Sequence, residues 1–456
     1  MTVSLHFDAG AIVVRGLERS ESPPLPRACL WDERENVYRA PGSEYAPISL
    51  ALLRNRTPYE DEARQYGELE KGLQIRREPR PFQTEAVKAW EAFHRRAVVV
   101  LPTGSGKTEA ALLAMDAARR DTLVVAPTLD LIAQWRMTLA DRFQRNIGVI
   151  GGGEYDLQPI SVTTYDSAHR FMENIGARFG LVIFDECHHL PSEIYSRAAS
   201  RCIAPFRLGL TATLERADGK HAALTTLIGP VAYRKSIVEL SGEYLAEYET
   251  IRFFVELSDE ERKEYDEANK IYRDFVMKQG IRMSSRDGWS QFIIRTSISA
   301  EGRRAMAAYQ RRRELALAAP SKMDLVEKLL WKHRRDRALL FTERNSAAHA
   351  LSRRFLAPII THQTKVSERT RILRDFADGV YNALIASKAL NEGVDIPSAN
   401  VAIVISGSGT TREHVQRLGR ILRKQEDKTA VLYELVANDT TEMHASQRRR
   451  SHIAYE

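Results

Sequence analysis

The chain has only three cysteines, Cys29, Cys187 and Cys202, in 456 residues. No two of them stand at metal-ligand spacing, and so few do not build a disulfide framework. A reducing, intracellular compartment is therefore expected, cytoplasmic in a prokaryote. Cys187-His188-His189 invites a zinc reading, but adjacent side chains leave a strand end in diverging directions and no second ligand cluster lies nearby. Long apolar runs are also missing. None reaches the roughly 18 residues of a membrane-crossing helix, so no membrane partner is expected. The start, Met1-Thr-Val-Ser-Leu-His-Phe-Asp8, lacks the charged opening and apolar centre of a signal peptide. An acidic excess is absent too: net charge is +7 and the isoelectric point about 9.2. A mild excess of base suits a nucleic-acid partner without requiring one. The remaining composition, 43% hydrophobic and 28% charged, is that of a soluble protein, and the length allows about two to four domains.

The most informative stretch is Leu101-Pro-Thr-Gly-Ser-Gly-Lys-Thr108. It follows the apolar run Ala97–Leu101 and precedes Glu109-Ala-Ala-Leu-Leu-Ala-Met115, which gives the order strand, glycine loop, helix. That is the setting of a phosphate-binding loop. Gly104 and Gly106 let backbone N–H groups turn toward one anion, and the following helix adds the positive end of its dipole. Pro102, Thr103 and Ser105 complete the loop around the bound phosphates. Lys107 is expected along the β- and γ-phosphates, and Thr108 on Mg²⁺. The full pattern carries a glycine where this chain has Leu101.

Along the chain, residues 1–75 read as a separate small module. It opens on a hairpin, Val3–Phe7 and Ala11–Val14, and the segment Tyr59–Gly72 reads as a helix leading to a linker. Residues 76–245 alternate short apolar runs with helical patterns. The runs Val98–Leu101, Leu123–Ala126, Ile160–Thr163, Leu181–Phe184 and Leu208–Leu210 imply a parallel sheet covered on both faces, with ligands at its carboxyl edge. A third stretch, about 255–315, is charged and helical. Its arginines, Arg303-Arg304 and Arg311-Arg-Arg313 around Tyr309, form either a solvated face or a grip on a nucleic-acid backbone. Alternation then resumes to residue 456, with strands Ala338–Phe341, Ala383–Ala386, Val401–Ile405 and Ala430–Leu435. Two sheet domains in one chain raise the prospect of a site made between them.

The other chemistry-bearing residues fall at strand ends. Asp185-Glu-Cys-His188 follows the strand Leu181–Phe184, so Asp185 can hold the Mg²⁺ and Glu186 can orient and deprotonate the attacking water. Gln83, about 20 residues before the loop, has an amide able to read both edges of adenine. Thr211 and Thr213 can bond the acid pair and report the state of the nucleotide, or cap the next helix. Thr128, Thr163 and Thr342 suit phosphate contacts that read no sequence, and Arg303, Arg304 and Arg311 a nucleic-acid backbone. Gln416, Arg420 and Arg423 lie on one helical face; the two arginines can reach a γ-phosphate as fingers. Gly393 and Asp395 sit where nucleotide can be sensed.

The ordered set resembles superfamily 2 helicases across residues 80–425, and most closely the XPB branch, particularly archaeal XPB. Three stretches carry the closer match: Asp185-Glu-Cys-His-His-Leu-Pro191, Ala204-Pro-Phe-Arg-Leu-Gly-Leu-Thr-Ala-Thr213, and Ser406-Gly-Ser-Gly-Thr-Thr-Arg412. The resemblance implies an α/β chain of two RecA-like parallel-sheet domains, at 76–245 and 246–456. It further implies a small N-terminal α+β damage-recognition-like domain at 1–75 and a helical thumb-like insertion at about 255–315. It also implies ATP and Mg²⁺ as cofactors, 3′-to-5′ movement on duplex or forked DNA in nucleotide excision repair, and a repair nuclease or transcription-initiation factors as partners. The family's Arg-Glu-Asp motif, linked to strand opening, is here Arg216-Ala217-Asp218, which puts strong unwinding in question but not ATP hydrolysis. An RNA-directed helicase of the same superfamily and an ATP-switched DNA-binding scaffold that loads a nuclease are the rival readings.

Overall fold

The computed structural model describes residues 2–20, 25–214, 218–285, 287–387, 399–407 and 429–449. The chain divides between Glu239 and Leu240 into two compact units.

The first unit opens on a small sheet of β1 (Val3–Asp8), β2 (Ala11–Arg15), β3 (Leu30–Asp32), β4 (Val37–Pro41) and β5 (Tyr59–Asp61), in the order β3-β4-β2-β1-β5. Ala9 and Gly10, both at positive φ, make the two-residue turn that joins β1 to β2. The helix Tyr45–Arg54 sets Ile48 and Leu52 into a core with Leu5, Ile12 and Val14, and Ala177 and Ile203 from the next domain join it.

The helix expected over Tyr59–Gly72 does not form. β5 pairs in parallel with β1, and residues 62–80 then run as a non-helical strap. Strap N–H groups bond outward: Gln65 donates to the Ala177 carbonyl (3.1 Å), Gly67 to Asp121 Oδ2 (2.6 Å), Leu69 to the Arg119 carbonyl (3.0 Å), and, just beyond Gly72, Leu73 to Asp116 Oδ1 (2.9 Å) and Gln74 and Ile75 to the Arg142 carbonyl (2.9 and 3.1 Å). These partners, together with the burial of Tyr66, Leu69 and Leu73, replace what a local helix would have offered.

The large sheet of this unit contains β6 (Arg96–Val100), β7 (Thr122–Ala126), β8 (Gly148–Gly151), β9 (Glu154–Tyr155), β10 (Ile160–Thr164), β11 (Leu181–Asp185), β12 (Phe206–Thr211) and β13 (Val231–Arg234). Their order is β13-β6-β12-β11-β7-β10-β8-β9, and only the short edge strand β9 runs antiparallel. The central strands are fully buried along their length, which is why they read as unbroken apolar runs.

The second unit carries β14 (Glu247–Val255), β15 (Ala338–Phe341), β16 (Ile359–Ile360), β17 (Ala383–Ala386), β18 (Val401–Val404) and β19 (Thr429–Ala437), all parallel, in the order β14-β19-β18-β15-β17-β16. Between β14 and β15 the described residues form four helices: Asp259–Lys278, Gly288–Ile298, Ala300–Ala318 and Pro320–Lys332. The first starts on a capping box in which Ser258 and Glu261 each satisfy the other's backbone N–H. The first three meet around Tyr272, Phe275, Phe292 and Ala305. Among the described residues no helix is long and apolar enough to cross a membrane.

Candidate functional site

The carboxyl ends of β6, β11 and β12 are neighbours in the first large sheet, and the predicted chemistry collects there. β6 feeds the loop, where Gly104 (φ 84°) and Gly106 (φ 90°) both hold the left-handed conformation that a side chain resists. The helix Lys107–Ala118 begins at Gly106 with no side chain capping its first turn, leaving the dipole end to an incoming anion. Pro102, Thr103, Ser105 and Thr108 line the same turn. Among the described residues the Thr103 hydroxyl is buried without a hydrogen-bond partner, and so is that of Thr213. Unpartnered buried hydroxyls, left-handed glycines, an uncapped helix end and an adjacent lysine fit a bound nucleotide.

Gln83 sits against this loop and braces it. Its Nε2 donates to the Ser105 carbonyl (3.1 Å) and the Gly106 carbonyl (3.2 Å), and its Oε1 accepts from the Arg80 N–H (2.9 Å). The amide nitrogen is thus turned toward the loop backbone. Reading an adenine edge would require those bonds to break.

Asp185 ends β11, is nearly buried, and is pinned by three contacts. Trp135 Nε1 donates to its Oδ2 (2.9 Å), the Glu186 N–H to its Oδ1 (3.0 Å), and the Tyr165 hydroxyl to its carbonyl (3.0 Å). Burial, aided by the Glu186 charge, pushes the Asp185 carboxyl up to about 6, against the pull of Lys107 and the Trp135 hydrogen bond. The next residue, Glu186, turns back at φ 48°, which aims its carboxylate at the loop. Lys107 Nζ lies 3.4 Å from Glu186 Oε1, and His188 Nδ1 3.4 Å from Glu186 Oε2.

His188 is fully buried, and its Nδ1 also stands 3.1 Å from Thr211 Oγ1. The Thr211 hydroxyl already donates to the Thr213 carbonyl (2.7 Å), so His188 Nδ1 must carry the proton in that contact. A continuous polar chain therefore runs Lys107–Glu186–His188–Thr211–Thr213 across the ends of three strands. Asp218 instead receives the Lys220 N–H (3.2 Å).

A second link braces the loop from below. Arg142, almost fully buried at the end of the helix Leu129–Phe143, donates two bonds of 2.7 Å to the Glu109 carboxylate and one of 2.6 Å to the Ile75 carbonyl. Glu109 sits in the first turn of the loop's helix.

The expected DNA contacts separate by exposure. Thr128 caps the helix Leu129–Phe143 by accepting the Leu131 N–H (3.3 Å). Thr163 and Thr342 do not face outward. Both are fully buried, Thr163 donating to the Ile150 carbonyl (2.7 Å) and Thr342 bonding Ser406 Oγ (3.0 Å), so each holds neighbouring strands together instead. Arg303 and Arg304 are exposed on the helix Ala300–Ala318. Arg311 is exposed as well, but its guanidinium is held by Glu264 (2.6 and 2.8 Å) and Glu314 (3.0 Å), which opposes a role as a free backbone contact. Arg216, Gly393, Asp395, Gln416, Arg420 and Arg423 lie outside the described residues. Trp135, Tyr165, Arg142 and Glu109 were not legible as site residues. Their sequence signals are those of apolar or solvated helix positions, and only the folded chain brings them to the loop and Asp185.

Three family models match the chain: the Xeroderma pigmentosum group B helicase damage recognition domain over residues 5–63, the type III restriction enzyme res subunit over 76–216, and the ERCC3/RAD25/XPB C-terminal helicase over 302–455. The DNA 3′-5′ translocase XPB2 of Sulfurisphaera tokodaii is 40% identical over 92% of this chain and 95% of its own length. The chain belongs to the XPB family. Another XPB relative, the DNA 3′-5′ helicase XPB of Kineococcus radiotolerans, is 32% identical over 82% of this chain, and the chain spans 62% of that protein. Among solved structures, the Pyrococcus furiosus Hef helicase domain superposes with a TM-score of 0.56 at 17% identity, covering 82% of this chain and 98% of its own. At that identity it shows the fold alone: RecA-like parallel-sheet domains.

Proposed function

We propose that this XPB-family chain is a DNA-dependent ATPase that moves 3′ to 5′ along duplex DNA and opens it in nucleotide excision repair. The observation that carries the reading is the approach of Lys107 to Glu186 at 3.4 Å, beside Thr108 and Asp185, at adjoining strand ends. Loop N–H groups and Lys107 hold the phosphates of ATP. Glu186 takes the proton of the attacking water. His188 and Thr211 relay the position of Glu186 into the loop after β12. Thr108 and Asp185 are the residues suited to Mg²⁺, which when bound neutralises phosphate charge. Arg303 and Arg304 supply exposed charge toward a DNA backbone. By resemblance, Arg420 and Arg423 are the finger residues.

Support for DNA rather than RNA comes from the names of the relatives; one, from Encephalitozoon cuniculi, is a general transcription and DNA repair factor IIH helicase/translocase subunit. A repair nuclease or transcription-initiation factors are the partner classes this suggests. Ala217, where the family's strand-opening motif has an acid, favours a second reading: a translocase or nuclease loader that turns over ATP with weak strand separation.

Steady-state ATP hydrolysis should be measured without nucleic acid and with duplex DNA, forked DNA and RNA, at two salt concentrations, with Lys107→Ala as control. Stimulation by DNA that weakens with salt and vanishes in the control is the expected result. Stimulation by RNA alone, or no turnover on any substrate, sinks the DNA motor. DNA-stimulated turnover without displacement of a forked strand selects the second reading.

The raised Asp185 carboxyl gives a further expectation. Its proton must leave before the carboxylate can take a cation, and that proton is held up to about pH 6. The apparent Mg²⁺ affinity should weaken as pH falls through about 6, and do so more steeply than in Asp185→Asn. Mg²⁺ titrations of turnover at acidic and neutral pH check this, and an unchanged half-saturation would rule out Asp185 as a ligand.

A further inference from the structure

The amino-terminal edge of the second unit's sheet lies at the opposite end of its strands from Thr342, Glu343 and Ser406. Three large apolar side chains stand in solvent there: Trp331 (72% exposed), Leu356 (89%) and Val380 (65%). Trp331 closes the helix Pro320–Lys332 ahead of β15, Leu356 ends the helix Asn345–Phe355 ahead of β16, and Val380 sits in the turn ahead of β17.

Topology makes them one surface. β15, β17 and β16 are consecutive in the parallel sheet, so the turns entering them share an edge. The turns are tied together: Ala338 N–H donates to the Asn382 carbonyl (2.8 Å), Asn382 Nδ2 to the Arg334 carbonyl (3.2 Å), and Ile385 N–H to the Pro358 carbonyl (3.0 Å). The two helices are joined by Arg354, which reaches both Asp324 and Glu327 at 2.7 Å.

Two features set this edge apart from ordinary scattered apolar exposure. Leu356 holds a left-handed backbone, φ 51° and ψ 33°, at a helix C-cap. That position favours glycine or asparagine, so leucine serves neither the backbone nor the core. Trp331 leaves most of its ring in solvent, with the Arg334 guanidinium 5.2 Å from the ring centre, although tryptophan is normally well buried. The turn that carries Trp331 is basic, while Asp324 and Glu327 earlier on its helix are engaged by Arg354, and Asp375 and Asp378 precede Val380. Lys328–Arg337 holds five lysines and arginines against one acid, Asp336, and that acid is engaged by His333 and Asn400. Arg334, Arg335 and Arg353 are exposed.

We infer that this edge docks a protein partner that presents an apolar anchor flanked by acidic residues. Leu356 and Val380, on the same edge as the tryptophan, have no face on which a base stacks, whereas they suit a buried protein contact. The arginines select an acidic rim and speed encounter. Docking here leaves the carboxyl edge of the same sheet open, so the partner can ride on the chain while that edge works. The inference stands on exposure and charge, apart from the ATP site.

The test uses the full chain and a displayed library of random peptides, with binding of the enriched peptides measured by fluorescence anisotropy. Trp331→Ala and Leu356→Asn are the variants. The asparagine suits the left-handed position, so loss of binding in it is not loss of folding. Acidic peptides with an apolar anchor should be enriched, bind about tenfold or more weakly to each variant, and leave DNA-stimulated ATP turnover unchanged. The inference is overturned by peptides with no acidic excess, by equal binding to wild type and variants, by variants that lose affinity only for single-stranded DNA, or by sedimentation showing that the edge only joins two copies of the chain.

Discussion

Glu186→Gln should cut steady-state ATP turnover by about 10²–10⁴-fold while ATP binding changes little. The amide keeps the size of the carboxylate but cannot accept the proton of the attacking water. Lys107, 3.4 Å from Glu186 Oε1, loses a competing anion and becomes more available to phosphate. Binding of a fluorescent ATP analogue should therefore be equal or tighter, and turnover should be the quantity that collapses. Lys107→Ala should differ by losing both. The pair of measurements separates a proton acceptor from a residue that merely shapes the site. If Glu186→Gln lost binding and turnover together, Glu186 would be a structural partner of Lys107, and the base would have to be sought elsewhere.

Arg142→Met should destabilise the first unit by about 3–5 kcal/mol, because it strands Glu109 as a partly buried, uncompensated carboxylate. The geometry is the costly kind to break: two bonds of 2.7 Å from a guanidinium that is only 2% exposed, plus its bond to the Ile75 carbonyl. Adding Glu109→Leu to Arg142→Met should restore much of the loss, since an apolar pair leaves no unpaired charge. Urea unfolding of wild type, single and double variants, followed by tryptophan fluorescence, reads this out. Trp135 on the Arg142-bearing helix reports locally. A double variant as unstable as the single one would show that packing, not the stranded charge, carries the cost. The single variant should also raise the KM for ATP, because Glu109 belongs to the first turn of the helix that follows the phosphate loop.

Sequence periodicity carried most of the two sheets. Runs such as Leu123–Ala126 and Leu181–Phe184 are apolar at every position, and only strands buried on both faces read that way. β14 was not legible. It sits at the sheet edge, keeps Glu247, Glu249 and Arg252 among its apolar residues, and owes its place to nine residue pairs with β19, far away in sequence. The Tyr59–Gly72 segment misled for the same kind of reason. Its charges and helix formers describe a local preference, while Asp121 and the carbonyls of Leu5, Ala177 and Arg119, distant in the chain, supply the bonds that hold it in place.

What the sequence determined by itself was the placing of chemistry at strand ends: glycines and Gly-Lys-Thr after one strand, Asp-Glu after another, threonines after others. Those assignments need only local order. The tertiary structure decided which of these side chains face the site. Thr163 and Thr342 stand at strand ends like Thr128, yet both turn inward, because their hydroxyls find Ile150 and Ser406 on adjacent strands. Gln83 turns its amide toward the loop, Trp135 fixes Asp185, and the left-handed turn at Glu186 brings its carboxylate to Lys107. Each of these depends on distance between residues remote in sequence. A hydrogen bond reaches about 3 Å, and only the packed sheet sets which groups come that close.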